Sequence, residues 1–340
     1  PWLGGVTPGQ QQSKFRFPVC GKTQAGFLGG IIVAVSLILA KKILSLLFML
    51  FLGVLLVRLN VLKSEDSKSL SVLSLYLIIP CLNLQAFQVQ YNASVRNGLL
   101  LAFIAALLVE LLMVLAAELL SRIVPMDPVE KTSAIYSNAG NMVIPIVTSM
   151  LGAEYVIYTM AYSSVQQFLF WSHCKMTICG ERKIEFRKIF CNVNMAAILL
   201  GLAMFLLRIQ FPVLIQETLS SVGNTVGPIS MIITGMLIGG MDLKKVFTYR
   251  RVWLVTGIRL LAFPLLSLLL LKFTPLATAL PDGNMVLMIT LLAASAPTAA
   301  TVTQMAQVYG QDADYASACS VVTTLLCAVT MPLLMLLYQI

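Results

Sequence analysis

Long apolar runs separated by short polar stretches fill the chain from residue 27 onward. Ten of them, near 41–59, 68–87, 98–122, 132–151, 153–172, 192–209, 214–240, 249–271, 284–307 and 313–338, approach the ~20 residues that a helix needs to cross a bilayer. Within each run the apolar residues are continuous. They do not alternate, which argues against a transmembrane β-barrel. The pattern predicts ten transmembrane helices. Residues 1–26 are polar, rich in Gly, Pro and Gln, and lack a starting Met. The run 27–40 is too short for a span and meets Lys41-Lys42. Residues 1–40 are therefore expected to be a disordered tail or a translation-start artefact outside the fold.

The punctuation repeats. Gly53 to Pro80 spans the same distance as Gly201 to Pro228. Pro125 and Pro128 precede span four, as Pro275 and Pro281 precede span nine. Pro145 interrupts span four and Pro297 interrupts span nine. With five spans per half, the second half must start on the opposite side of the membrane. The fold class expected is an all-α polytopic membrane protein, ten helices arranged as a 5+5 inverted repeat with spans four and nine broken and crossing. Its parts are a first repeat over 41–172, a basic cytoplasmic loop over 173–191, and a second repeat over 192–340.

Composition narrows the class further. Of 340 residues, 59% are hydrophobic and 11% are charged, against about 25% charged in a soluble domain. The mean hydropathy is +0.90. Soluble enzymes, secreted scaffolds and nucleic-acid binders are excluded on this ground. The net charge of +9 sits in short loops, which makes it an orientation signal. Lysines and arginines crowd the loops after the odd-numbered spans, so both termini are expected outside and 173–191 inside, in the plasma (inner) membrane. The seven cysteines suggest no disulfide framework. His173, Cys174, Cys179 and Cys191 match no standard zinc spacing. No metal and no cofactor are expected.

The broken spans carry the candidate chemistry. They read SAIYSNAGNMVIPIVTSMLG (133–152) and LLAASAPTAATVTQMAQVYG (291–310). A proline removes a backbone donor and clashes with the carbonyl four residues back. Backbone freed in lipid must be satisfied by protein or a hydrated cavity. Paired breaks point to a midplane binding site, and half-helix N-termini there suit an anion. The plainer reading of one such proline is a kink. Two at symmetric places, beside Asn138, Asn141, Ser295 and Thr298, favour a site.

SNAGNMVIP and SAPTAATVTQMAQVYGQDADYASACSVVTTLL resemble the auxin efflux carrier family, in particular its short-loop bacterial members. RLNVLKSEDSKSLSVLSLYLIIPCL (58–82) is similar to its first cytoplasmic turn and second span. NVNMAAILLGLAMFL (192–206) resembles its sixth span, with Val193 where the family usually has proline. The resemblance covers about residues 41–340. It implies a scaffold of spans one, two, six and seven with a homodimer face, and a moving domain of the other six. It implies organic-anion substrates such as indole acetate, malate or malonate. It carries Asn138, Asn141, Pro145 and Pro297 over as crossover residues, while Thr298 is added on position.

Other polar residues lie within the spans. Glu110 and Arg259 hold equivalent places in spans three and eight. Intramembrane charges are functional candidates, here for proton coupling or attraction of an anion. The alternatives are a structural ion pair or snorkelling to an interface. Tyr155, Tyr158 and Tyr162 share a helix face with Gln166 nearby. Tyr162 and Gln166 lie deepest, and could line the site or simply pack. Asn83, Asn224 and Thr225 could face it from the scaffold, or hydrogen-bond between helices. An enzyme would need paired membrane aspartates, a Ser–His pair or HExxH. The only histidine is His173, at a span end. A carrier of a small organic anion is the reading that results, with a channel or ligand sensor as the competing class. Neither broken span has an acid beside its proline, which leans towards uniport, although sodium could bind carbonyls and hydroxyls.

Overall fold

The computed structural model describes residues 41, 44–89, 91–144, 146–147, 151–152, 155–180, 193–240 and 249–339. Residues 1–40, most of the basic loop (181–191) and Pro145 lie outside them. The described residues are almost entirely helical and contain no strand beyond one isolated bridge. Among the described residues eleven helices succeed one another in chain order: α1 (Leu44–Arg58), α2 (Ser64–Ala86), α3 (Ala93–Ile123), α4 (Pro128–Ile135), α5 (156–179), α6 (Val193–Leu206), α7 (Val213–Gly240), α8 (Arg250–Phe273), α9 (Gly283–Ala294), α10 (Ala300–Val308) and α11 (Ala313–Gln339). Five of them, α2, α3, α7, α8 and α11, are long and apolar enough to cross a membrane, and α1, α6 and α9 are shorter apolar helices. The protein is a multi-pass helical membrane protein.

Local chemistry sets several boundaries. The Asn92 side chain accepts from the Val95 N–H and starts α3, as an N-cap should. At α4, Asp127 accepts from the Glu130 N–H and Glu130 accepts from the Asp127 N–H. This reciprocal box, with Pro128 at the first turn, fixes the entry into the first broken span. Span five runs further than the expected end at 172. It remains helical to Cys179 and stops at Gly180, whose φ is +68°, a left-handed cap that glycine adopts without a Cβ clash.

Prolines shape the spans in a second way. In α2 a wide five-residue turn, Ser74–Ile78, ends two residues before Pro80. In α8 the same turn, Ile258–Ala262, ends two residues before Pro264. A π-turn makes room for the carbonyl that the proline ring would otherwise strike and leaves without a donor. The wide turn of α8 carries Arg259, which is fully buried.

Among the described residues the main core cluster draws on every helix from α2 to α11, and a small second cluster joins Leu46 of α1, Met231 of α7 and Ala300 of α10. Small residues let α3 pack closely: Ala102, Ala105, Ala106 and Ala117 are all essentially inaccessible. The outer faces of α1, α3 and α8 expose large apolar side chains, among them Phe48, Phe51, Leu100, Leu115 and Leu261. Lipid rather than water is the solvent that suits them. Between α1 and α7 the main chains nearly touch. A Cβ on Gly53 would lie 3.0 Å from the Gly235 Cα, and a Cβ on Gly235 would lie 3.0 Å from the Gly53 Cα.

Candidate functional site

Both broken spans unwind at the same point in space. After α4, Tyr136–Asn138 is non-helical, and a short π-turn (Ala139–Val143) resumes the helix. After α9, residues 295–299 run non-helically into α10. The two unwound stretches cross antiparallel. The Asn138 N–H donates to the Pro297 carbonyl at 2.7 Å, and the Ala299 N–H donates to the Tyr136 carbonyl at 2.9 Å, with Ser137 opposite Thr298. Each break thus supplies backbone partners that the other lacks, which is how unwound chain survives at membrane depth. Thr298 adds two further ties. Its hydroxyl donates to the Ser133 carbonyl at 2.9 Å, and its N–H donates to the Thr323 hydroxyl at 3.1 Å.

The crossing sorts helix ends by polarity. The C-terminal carbonyls of α4 and α9 converge on Arg259. Its guanidinium donates to the Ala134 carbonyl at 3.1 Å, to the Ile135 carbonyl at 2.6 Å, to the Ala296 carbonyl at 2.9 Å and to the Ala294 carbonyl. A cation at two helix C-termini is favourable by dipole and by hydrogen bonding. Arg259 therefore neither snorkels nor pairs directly with Glu110. Among the described residues the ion pairs are Lys131–Glu118 and Arg251–Glu130, and the His173 ring lies 3.5 Å from Glu118. Of the alternatives open from sequence, the described residues show Arg259 capping backbone carbonyls and making no direct ion pair with Glu110.

On the other side of the crossing the N-terminal ends face a cavity. It is lined by Ile79, Leu82 and Asn83 from α2, by Ser137, Asn138 and Gly140 from the first break, by Met160, Ser163, Gln166 and Gln167 from α5, by Val226 from α7, and by Ala299 and Thr301 at the start of α10. None of the described lining residues is charged. Ala299 caps α10 without a side-chain acceptor, which leaves the first N–H groups of that helix uncapped where Ala299 and Thr301 line the cavity. Three lining side chains hold polar atoms that are buried and without a hydrogen-bond partner among the described residues: Asn83 Nδ2, Asn138 Nδ2 and Ser163 Oγ. Gln166 is tied instead. Its amide donates to the Ser137 carbonyl at 2.6 Å and accepts from the Ser137 hydroxyl at 2.9 Å.

Of the residues singled out from sequence, Asn83, Asn138 and Gln166 meet at this cavity. Asn141 falls in the π-turn beside it. Pro297, Thr298 and Ser295 are buried in the crossing itself and do not line the cavity. Tyr162 lies behind the wall, fully buried, acting on Glu110 and Arg259. Asn224 sits at a two-residue turn within α7, is exposed, and donates to the Ser220 hydroxyl at 3.2 Å, away from the cavity. Ser137, Gly140 and Thr301 were not singled out. Their flanking positions beside Asn138 and Pro297 were the available signal.

The start of α4 is held by contacts from α8 and α11. Arg251 pairs with Glu130 through both carboxylate oxygens and also donates to the Pro125 carbonyl, while the Tyr315 hydroxyl donates to Glu130 at 3.3 Å. Burial alone would raise the Glu130 carboxyl. The Arg251 guanidinium and the Asp127 backbone outweigh it and hold the group below the ordinary glutamate value.

Two interrupted helical segments that cross, with converging helix ends beside a small uncharged cavity, are the features of a membrane transport protein with broken helices. The family described as Membrane transport protein matches residues 38–183 and 181–335. The chain belongs to that family, which is the auxin efflux carrier family. No curated protein matches it.

Proposed function

We propose that this transporter carries a small organic anion across the plasma membrane by an elevator-type movement of the crossed helices against a scaffold. The observation that carries this reading is the pair of unpartnered amide donors, Asn83 from α2 and Asn138 from the crossing, facing one cavity. A buried N–H without an acceptor is costly, and a carboxylate offers two acceptor oxygens. The free N–H groups and the positive dipole end of α10 favour the same charge. The absence of a lysine or arginine among the described lining residues suits a carrier, since a fixed countercharge would hold the anion too tightly to release.

Size supports a compact substrate. The cavity offers about 50 Å³ of space open to water, where one water needs roughly 10–15 Å³. That is room for a few waters or a short carboxylate such as malonate or malate, rather than an indole ring, in the state seen here. The remaining reading goes with this one. The ten spans form two inverted five-helix repeats with both termini outside. α1, α2, α6 and α7 form the scaffold and a homodimer face, consistent with the exposed Phe48, Phe51 and Leu52 on α1.

The test is electrical. The full chain is reconstituted on a supported membrane and given jumps of malonate, malate, lactate and indole acetate. A saturable current or labelled counterflow for one anion, lost in Asn141→Ala and Asn138→Ala, is the expected result. Binding of an anion with neither current nor counterflow would sink the carrier reading in favour of a sensor.

A further inference from the structure

Glu110 is the largest charge problem left in the fold. It sits mid-way along α3 at 0% exposure, and both carboxyl oxygens lack a hydrogen-bond partner among the described residues. The groups facing it are Tyr162 from α5, Arg259 from α8 and Tyr136 from just past α4. The fourth neighbour, α9, has no titratable side chain between Gly283 and Ala294. The Tyr162 hydroxyl is also buried without a partner among those residues.

Charge balance decides the state of this carboxyl. Arg259 carries one positive charge and directs its donors to the backbone carbonyls where α4 and α9 end. Each helix C-terminus is equivalent to about −0.5 of a charge, so two of them offset about one guanidinium. A carboxylate at Glu110 would then be a surplus negative charge, buried with no hydrogen bond on either oxygen among the described residues and only partly offset by the nearby Arg259 and Tyr162, which is unfavourable. A neutral carboxylic acid removes the surplus.

A polar route joins this acid to the substrate cavity. The Tyr162 hydroxyl lies between Glu110 and Ser137, close to both, and forms no hydrogen bond among the described residues in the state seen here. Ser137 bonds Gln166, and both line the cavity. We propose that Glu110 is a proton-binding site, that it holds a proton in the state seen here, and that it exchanges that proton with cavity water along Tyr162 and Ser137, so that a proton accompanies the anion. The step is a simple transfer: an O–H bond forms on a Glu110 oxygen as a hydronium in the cavity gives up its proton, and the reverse occurs on release. The co-transport half rests on the carrier reading above. The proton site itself does not.

The experiment has two arms, on the full chain in liposomes. The first uses no anion. Infrared difference spectra between wild type and Glu110→Gln at neutral pH should show a protonated carboxyl C=O band belonging to Glu110. It should shift in heavy water and vanish on alkaline titration, and Tyr162→Phe should slow its hydrogen–deuterium exchange. Glu110→Gln should melt within about 2 °C of wild type, since the amide matches a neutral acid. A carboxylate signature from Glu110 at neutral pH, or a fall in melting temperature above about 5 °C as expected for a broken buried pair, overturns the proposal.

The second arm uses labelled malonate. An acid-outside step should raise its accumulation in wild type by up to about tenfold per pH unit, and Glu110→Gln should lose that dependence. A variant that responds to the gradient as wild type does overturns the coupling role. If no anion moves in wild type, the carrier reading and co-transport fall together, while the infrared arm still decides whether Glu110 holds a proton.

Discussion

The N–H of Asn138 donates to the carbonyl of Pro297 at 2.7 Å, the shorter of the two main-chain bonds that tie the crossing. The residue that offers a free amide to the cavity is thereby fixed by the proline that breaks the opposite span. Position and chemistry are locked together, so a change in one break is felt in the other.

Thr298→Val tests that lock. The substitution keeps shape but removes the hydroxyl that donates to the Ser133 carbonyl. A buried carbonyl left unpaired costs about 1–3 kcal/mol. A thermal-shift assay in detergent should show a clear fall in melting temperature, and an unchanged value would mean the tie contributes nothing.

Arg259→Lys should be far worse than its conservative label suggests. Lysine keeps the charge but lacks the planar fork, and four carbonyls now depend on that fork. Several kcal/mol of stability should be lost, read as low yield and early melting. Folding at wild-type temperature would refute the capping role.

Asn138→Ala and Asn83→Ala should separate function from stability. Each removes a donor that has no partner among the described residues, so the melting temperature should hold or rise slightly. Anion counterflow should fall by about tenfold or more, as expected for losing one hydrogen bond to a charged group. A parallel loss of both properties would mean the amides are structural.

Gln307 should govern the balance between conformations. On α10, its amide donates to the Ser67 hydroxyl at 2.6 Å and accepts from Ser71 at 2.7 Å, both on α2. These bonds link the crossed helices to the proposed scaffold. Losing two neutral bonds is ~2 kcal/mol, a shift of roughly 30-fold in a two-state equilibrium. Gln307→Ala should change the labelling rate of a cysteine placed at the cavity by a factor of that order.

Glu130 gives a pH dependence. Its folded value lies below the ordinary one because of Arg251 and the Asp127 backbone. The stabilisation is therefore complete above the unfolded value, about 4.3, and is lost as pH falls through the lower folded value. Thermal melts should weaken on acidification below about pH 4.3, and less steeply in Glu130→Gln. A melt profile identical to wild type would rule the pair out as the cause.

Much of the helical plan was readable from the sequence, because apolar length and proline spacing act locally. Helices begin near the expected residues, and Pro297 marks the second break. The direction of side chains was less accessible. Tyr162 and Gln166 are one helical turn apart, yet Gln166 reaches the cavity and Tyr162 lies behind it. A repeat offset places Glu110 and Arg259 at one depth, but it cannot say that helix-end carbonyls would take the guanidinium. That outcome depends on how four helices pack, which is set by tertiary contact rather than spacing. Asn224 fell on the wrong side for a related reason: it sits at a two-residue turn within α7, exposed and away from the cavity.

The meeting of Gly53 with Gly235 bears on what the rest of the molecule moves against. Where side chains form a contact, rotamer changes let it breathe by fractions of an ångström. Here the contact is main chain to main chain, and bond geometry leaves nothing to rotate. The seam is incompressible and has no alternative packing to slip into. Under the elevator movement proposed above, force applied by the crossed helices would be returned rather than absorbed, as a rail returns the load of a carriage. A single methyl at either glycine would pry the rail apart and make the track, not the carriage, the part that fails.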